Sequence, residues 1–249
     1  MTPISVVIIA KNEERNIGRC LDSVRAVADD VVVVDSGSTD ATEAICRARG
    51  ARVVHHPFEG HVQQKNWAVT QAKYPHVLSL DADEALSDEL ARSIAAAKAD
   101  WRHDGWWMNR LTNYCGAWVR HCGWYPDPKL RLWDTRRGEW RGTNPHDHFE
   151  MLDERAPTGR LAGDLLHYSY YTVEEHHRQM EYFADIAARA MHAEGRRASP
   201  LRPPVATLAR FVRNYVLRRG FLDGVTGLTV CRIDAWGAGL KYTRLRQLQ

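Results

Sequence analysis

The chain has 249 residues, 44% hydrophobic and 26% charged, with a formal net charge of +3. This is the composition of an ordinary globular protein and excludes a disordered or low-complexity chain. No apolar run approaches the roughly 20 residues of a membrane-spanning helix, and residues 1–10 lack the charged start and cleavage site of a secretory leader, so a cytoplasmic protein is expected.

Short β-branched runs read as buried strands at 4–10 (ISVVIIA), 30–36 (DVVVVDS), 52–58 (RVVHHPF) and 76–82 (HVLSLDA). Helices are expected between them at 16–27, 40–49 and 62–72, and Ser87 followed by Asp88 and Glu89 starts another that runs to Ala99. This alternation predicts an α/β fold with a mostly parallel central sheet flanked by helices. Ligands then bind beyond the carboxyl ends of the strands, which singles out the loops AKNEE, DSGSTD and DADE.

All three loops are acidic. Turn and helix-cap chemistry accounts for Ser38, Thr39 and Asp40 in DSGSTD but leaves Asp35 without a purpose. Asp81 and Asp83, one residue apart, repel unless a cation or a donor lies between them. Their hard oxygens suit Mg²⁺ or Mn²⁺, which takes one or two protein carboxylates and fills its sphere with phosphate oxygens.

The segments ISVVIIAKNEERNIGRCLDSV, VVVVDSGSTDAT, QQKNWA and LSLDADE together resemble the nucleotide-sugar half of a family 2 glycosyltransferase of GT-A fold. The later segments NYCGAWVRHCGWYPDPKLRLWDTRRGEWRGTNPHDHFEM, LLHYSYYTVEEHHRQMEYFADIAA and RNYVLRRGFLDGVTGLTVC are similar to bacterial lipopolysaccharide core β-1,4-glucosyltransferases. Nearly the whole chain is covered. The resemblance implies transfer of glucose from UDP-glucose to an inner-core heptose, on a lipid-linked acceptor at the inner face of the cytoplasmic membrane. It also implies that Asp35 meets the uracil, that Ala10, Asn12 and Glu13 line the nucleotide, and that Lys65 reaches nucleotide or phosphate. Asp81 then faces the ribose and Asp83 binds the metal. Many relatives read DDGS where this chain has DSGS, so one further nucleobase contact is in doubt.

His167 in LLHYS is either a histidine satisfied within a strand or, by the resemblance, a second metal ligand. Arg131 in KLRLW is either a cross-strand surface cation or a group facing the diphosphate or the acceptor. Inversion by direct displacement, which the resemblance implies, needs a carboxylate base, and NPHDHFE offers Asp147 and Glu150. Related enzymes place a His-Glu or His-Asp pair there, which His146 and Asp147 match. Strand alternation sends Asp147 and Glu150 to opposite faces, so only one can look into the cleft; Asp147 is preferred. Cys115, His121, Cys122, His146 and His148 lack the paired spacing of a structural zinc site, and five cysteines without a CxxC pair fit reduced thiols. Among Trp106, Trp107, Trp118, Trp124, Trp133 and Trp140, one or two are expected to form a face for a sugar ring.

The prolines of SPLRPP mark a boundary that divides a catalytic domain (1–195, with a nucleotide-sugar half 1–100 and an acceptor half 101–195) from a helical extension, 196–249. That extension carries 11 Lys or Arg against 2 Asp or Glu. Leu208, Phe211, Val212, Tyr215 and Val216 follow helical spacing, with Arg210, Arg213, Arg218 and Arg219 around them. Either the helix packs on the domain, or its basic surface makes peripheral contact with anionic lipid. Nucleic acid is not expected as a partner, since no RNA- or DNA-binding signature accompanies the charge. Two other classes compete with a transferase: a sugar-nucleotide nucleotidyltransferase, which would want a Gly-rich basic loop in place of AKNEE, and a non-catalytic membrane- or RNA-binding adaptor, which leaves Asp35, Asp81 and Asp83 unused.

Overall fold

The computed structural model describes residues 1–143 and 146–249, apart from the side chains of residues 143 and 146. The chain forms two compact units, residues 1–110 with 127–167 and residues 111–126 with 168–249.

In the first unit the β-branched runs become strands close to where they are expected. β1 (Ile4–Ala10), β2 (Asp30–Asp35), β3 (Arg52–His55) and β4 (His76–Asp81) alternate with α1 (Ile17–Val24), α2 (Thr42–Ala48) and α3 (His61–Thr70). They lie in the order β3-β2-β1-β4, all parallel. β3 stops two residues before Pro57, which has no N–H to offer a ladder. Successive side chains feed opposite faces: Val6, Ile8, Val33 and Leu78 enter one apolar cluster, and Val7, Val32, Val34 and Val77 another.

Next in the chain come β5 (Glu84–Leu86), α4 (Asp88–Ala99), β6 (Gly105–Tyr114), β7 (Ala117–Val119), β8 (Asp127–Asp134), β9 (Gly138–Thr143), β10 (His146–Met151) and β11 (Thr158–Tyr170). The sheet continues as β4-β8-β6-β11-β5, with β8 antiparallel to both β4 and β6 and β5 antiparallel to β11. β9 and β10 form a separate antiparallel hairpin.

Ser87 caps α4 as expected, and it also ties the helix to β11. Its Oγ accepts from Leu90 N (3.2 Å) and from Asp164 N (3.0 Å). Beside it Gly163 adopts φ +87°, and a Cβ there would lie 2.3 Å from Leu90 N, so only glycine lets β11 approach the helix start this closely. Ser87→Ala is expected to lower stability by about 1–2 kcal/mol, because two backbone donors lose one acceptor. A denaturant titration that leaves the midpoint unchanged would show that water replaces the hydroxyl.

The second unit contains β7, the ends of β6 and β11, and the helices α5 (Val173–Ala193), α6 (Arg202–Phe211) and α7 (Gly224–Gln247). A π-helical turn over Val212–Leu217 and a short 3-10 turn over Gly220–Asp223 join α6 to α7. Pro203 and Pro204 do start a helix, α6. The units nevertheless do not part at residue 196, as the prolines suggested. α5 packs along α7, as α6 does, at a small-residue contact where a Cβ on Gly237 would meet Met180 at 3.1 Å. The tail therefore folds together with α5 and the 111–126 segment.

Candidate active site

Three parallel strands end together. Ala10 is in register with Asp35 across β1 and β2, and Ile9 with Asp81 across β1 and β4. The loops that follow these strands therefore share one edge, where the α/β rule places a ligand.

The first two loops are zipped to each other. Asn12, at φ 55°, donates its N–H to Ser38 Oγ (2.9 Å) and accepts from Thr39 N on Oδ1 (2.8 Å). Glu13 N donates to Thr42 Oγ1 (2.7 Å), and the Glu13 carboxylate accepts from Asn16 Nδ2 (2.8 Å). Burial pushes the Glu13 carboxyl up against the lowering by the Asn16 hydrogen bond, with repulsion from Asp83, Asp40 and Asp81 adding to the rise. Asp35 is 2% exposed and accepts from Gly37 N (3.0 Å), Ser38 N (2.9 Å) and the Ser38 hydroxyl. The expectation that turn chemistry leaves Asp35 unused is thereby corrected, because its carboxylate holds the DSGS turn closed.

Asp81 and Asp83 have different surroundings. Lys65 Nζ lies 3.1 Å from Asp81 Oδ1 and 2.8 Å from Asp147 Oδ2. Arg131 Nη2 bridges Asp81 Oδ2 (2.9 Å) and Glu84 Oε1 (3.0 Å), with Arg110 Nη1 3.6 Å from the same Glu84 oxygen. Burial works to raise the Asp81 pKa, but Lys65 and Arg131 outweigh it and hold the carboxyl far below the usual range. Burial likewise opposes the Arg131 charge, and Glu84 and Asp81 more than restore it. The repulsion that the spacing of Asp81 and Asp83 suggested a metal must relieve is thus met, at Asp81, by side-chain cations. Asp83 instead faces β11: His167 sits opposite Glu84 in the β11–β5 register, and its Nε2 is 3.1 Å from Asp83 Oδ2. His167 Nδ1 is buried without a hydrogen-bond partner among the described residues.

A cavity of about 610 Å³ opens beside this cluster, lined by Lys65, Asp81, Arg131, Asp147, Trp107 and Trp140 among others. The Trp140 ring lies under both cations, 4.4 Å from Lys65 Nζ and 5.0 Å from the Arg131 guanidinium. Arg131 is therefore neither exposed nor a surface cation. Trp107 and Trp140 are the tryptophans that reach the cavity, while Trp133 is wholly buried. On β10 the two candidate bases part, although Asp147, His148 and Phe149 line the cavity in succession and strict alternation does not describe which residues reach it. Asp147 lines the cavity, whereas Glu150 does not: it is drawn to exposed His148 Nε2 (2.7 Å) and Arg141 (3.3 Å), which lower its pKa. The structure thus brings only Asp147 to the cluster. The His146 side chain lies outside the described residues.

Of the expected site residues, Ala10, Asn12, Glu13 and Asp35 gather at the first two loops. Lys65, Asp81, Arg131 and Asp147 gather at the cavity. Asp83 and His167 pair beside them. Glu84 and Arg110 were not singled out by role in the sequence, where only the DADE string hinted at Glu84, and Trp140 was named only as one of six tryptophans that could face a sugar ring. Cys115, His121 and Cys122 belong to the second unit, where His121 Nδ1 pairs with Asp223 (2.7 Å), whereas His148 belongs to the first. Among the described residues no group of three or more His, Cys, Asp or Glu side chains is arranged to hold a metal.

A sequence profile described as glycosyl transferase family 2 matches residues 5–151, and the chain belongs to this family, with an α/β architecture of GT-A type. An uncharacterized glycosyltransferase of Rickettsia typhi is 30% identical over 257 residues, spanning 100% of this chain and 88% of that protein. The lipopolysaccharide core biosynthesis glycosyltransferase LpsC of Rhizobium meliloti is 29% identical over 254 residues, spanning 94% of this chain and 90% of the relative. Among solved structures, glucosyl-3-phosphoglycerate synthase from Mycobacterium tuberculosis, in complex with Mn²⁺, UDP and glucosyl-3-phosphoglycerate, shares 25% identity at a TM-score of 0.37. That match covers 45% of this chain and 44% of the synthase.

Proposed function

We propose that the protein is a metal-dependent, inverting hexosyltransferase that moves glucose from UDP-glucose to an inner-core heptose of lipopolysaccharide, working at the inner face of the cytoplasmic membrane. The observation that carries the reading is a cavity lined by Asp81, Lys65, Arg131 and Asp147, with the Asp83–His167 pair formed two residues along the chain from Asp81. The near full-length likeness to a lipopolysaccharide core glycosyltransferase supports the pathway. The resemblance of the sequence motifs supports donor and acceptor.

Asp83 and His167 fit a divalent cation as a pair. One hard carboxylate and one imidazole nitrogen, 3.1 Å apart, leave most of an octahedral sphere open, as Mg²⁺ or Mn²⁺ requires when phosphate oxygens complete it. Such an ion would neutralise the diphosphate as leaving group. The chain's own groups supply the rest. The zipped loops around Asn12, Glu13 and Asp35 form the nucleotide wall, and Lys65 and Arg131 present positive charge towards a diphosphate. Trp107 and Trp140 offer flat apolar faces to a hexose. Asp147 takes the acceptor hydroxyl's proton as its oxygen bonds to the anomeric carbon and the bond to the diphosphate breaks, releasing UDP and inverting the centre.

Calorimetry with UDP tests the reading. UDP and Asp83 are both anionic, so binding is expected to be much tighter with Mn²⁺ than with EDTA, and Asp83→Ala is expected to erase that difference along with turnover of UDP-glucose. Equal affinity in Mn²⁺ and EDTA would overturn the metal assignment. Absence of UDP release from UDP-glucose under all conditions would overturn the donor.

A further inference from the structure

The second unit has one surface that its own core does not explain. On the inner side of α6 and the π-helical turn, half-buried Phe211 and Tyr215 pack on the cluster of Tyr114, Val119, Val230 and Cys231, and buried Asn214 donates to Asp234 Oδ2 (3.1 Å). The opposite side is apolar as well. Leu201, Val205, Leu208, Val212 and Val216 recur at helical spacing and all are exposed, Leu208 at 65%. Leu217 (74% exposed), Phe221 and Val225 prolong the row through the π-helical and 3-10 turns. Of the fourteen large apolar side chains exposed among the described residues, nine lie between 201 and 225, so this is a patch and not the ordinary scatter of surface leucines. Of the five residues at helical spacing, Phe211 and Tyr215 pack on the unit, while Leu208, Val212 and Val216 are exposed.

The charge around the patch has one sign. Residues 195–222 contain seven arginines and no Asp or Glu. A second copy of the chain meeting this surface across a two-fold axis would set arginine against arginine. A nucleic acid backbone would satisfy the arginines and leave the leucines in water. An anionic bilayer satisfies both, phosphates taking the guanidinium groups while the apolar row enters the acyl boundary. No helix among the described residues is long and apolar enough to cross a membrane. We propose that the outward face of α6, the π-helical turn and the start of α7 lies in the headgroup layer of an anionic membrane, with Leu208, Val212 and Leu217 inserted and Arg210 and Arg213 at the lipid phosphates. The proposal deepens the membrane-side reading of the acceptor, but it stands on the surface alone.

Cosedimentation of the full chain with vesicles tests it without any sugar nucleotide, so its failure and a failure of the transferase reading are distinguishable. Binding is expected to vesicles of phosphatidylglycerol with phosphatidylethanolamine and to be much weaker on phosphatidylcholine alone. Arg210→Gln with Arg213→Gln is expected to weaken binding by roughly twentyfold, at about fivefold per cation. Leu208→Ser with Leu217→Ser should weaken it by roughly a hundredfold, about tenfold per inserted leucine, in high salt as in low. All four positions are exposed, and circular dichroism checks that the variants fold. Wild-type affinity in the leucine variant would overturn the proposal. So would a wild-type dimer, seen by analytical ultracentrifugation, that the leucine substitutions split into monomers, because the patch would then belong to a second copy.

Discussion

Asp147→Asn is expected to bind UDP and Mn²⁺ as the wild type does and to transfer hexose more slowly by a factor on the order of 10² to 10⁴. Asparagine keeps the shape of aspartate and still offers an amide oxygen to Lys65, which is 2.8 Å from Asp147 Oδ2. It has no basic oxygen to receive a proton, so the acceptor hydroxyl must attack without general-base help. Asp147→Ala would be a poorer test. It leaves the buried Lys65 ammonium with Asp81 alone and mixes a packing defect into the rate. The parallel substitution Glu150→Gln is expected to stay close to wild-type rates, because Glu150 does not line the cavity and its carboxylate is paired with His148 and Arg141. Steady-state assays with UDP-glucose and acceptor, paired with calorimetry, separate the two. Full activity in Asp147→Asn together with loss in Glu150→Gln would exchange their roles.

Much of this site is local in the sequence, and that part was legible. The runs at 4–10, 30–36 and 76–82 are so rich in β-branched residues that both faces of each strand had to be buried, and parallel strands with helical crossovers follow from that. The strand ends then fix where Ala10, Asp35 and Asp81 meet. Period-two alternation suggested that Asp147 and Glu150 part, but Asp147, His148 and Phe149 line the cavity in succession, so it does not account for which of them reaches it. What could not be read is pairing over distance. Lys65 and Asp147 are 82 residues apart, and Arg131 and Glu84 are 47 apart. No periodicity brings them together; the β8 and β10 backbones do. The same limit explains Asp81: its closeness to Asp83 suggested a cation between them, and two side-chain cations distant in the sequence, Lys65 and Arg131, meet its charge.

The tail shows a different limit. Helical spacing of Leu208, Phe211, Val212, Tyr215 and Val216 was visible, but spacing states only that apolar side chains share faces, not which face meets the core. The π-helical turn over Val212–Leu217 changes the phase of the helix just where that choice is made, and the sequence carries no clear mark of it. The domain boundary failed for a related reason. Proline stops a helix, yet it says nothing of whether the preceding helix, α5, packs forwards or backwards. Small residues on α7 such as Gly237 decide that, by letting α5 come close.

Arg131→Ala is expected to destabilise the fold by about 3–5 kcal/mol, which for a chain of this size is a fall in melting temperature of roughly 6–20 °C. Arg131 is 3% exposed and its guanidinium lies between Asp81 and Glu84, the latter fully buried. Removing it leaves Glu84 with Asp81 N (3.0 Å) and a distant Arg110 (3.6 Å) as its remaining polar neighbours, too little to solvate a buried carboxylate. The Trp140 face also loses one of its two cations. Arg131→Lys is expected to recover only part of the loss, because one arginine nitrogen, Nη2, meets both Asp81 and Glu84, and the ammonium of the shorter lysine side chain stops short of its place. Pairing Arg131→Met with Glu84→Gln should restore more, since the stranded charge is then gone and only its hydrogen bonds are missing. Thermal melts of the four proteins without nucleotide or metal isolate this effect from ligand binding. An Arg131→Ala protein that melts within about 2 °C of wild type, a shift of no more than about 1 kcal/mol, would mean that water reaches Glu84 and that the cluster serves the ligand more than the fold.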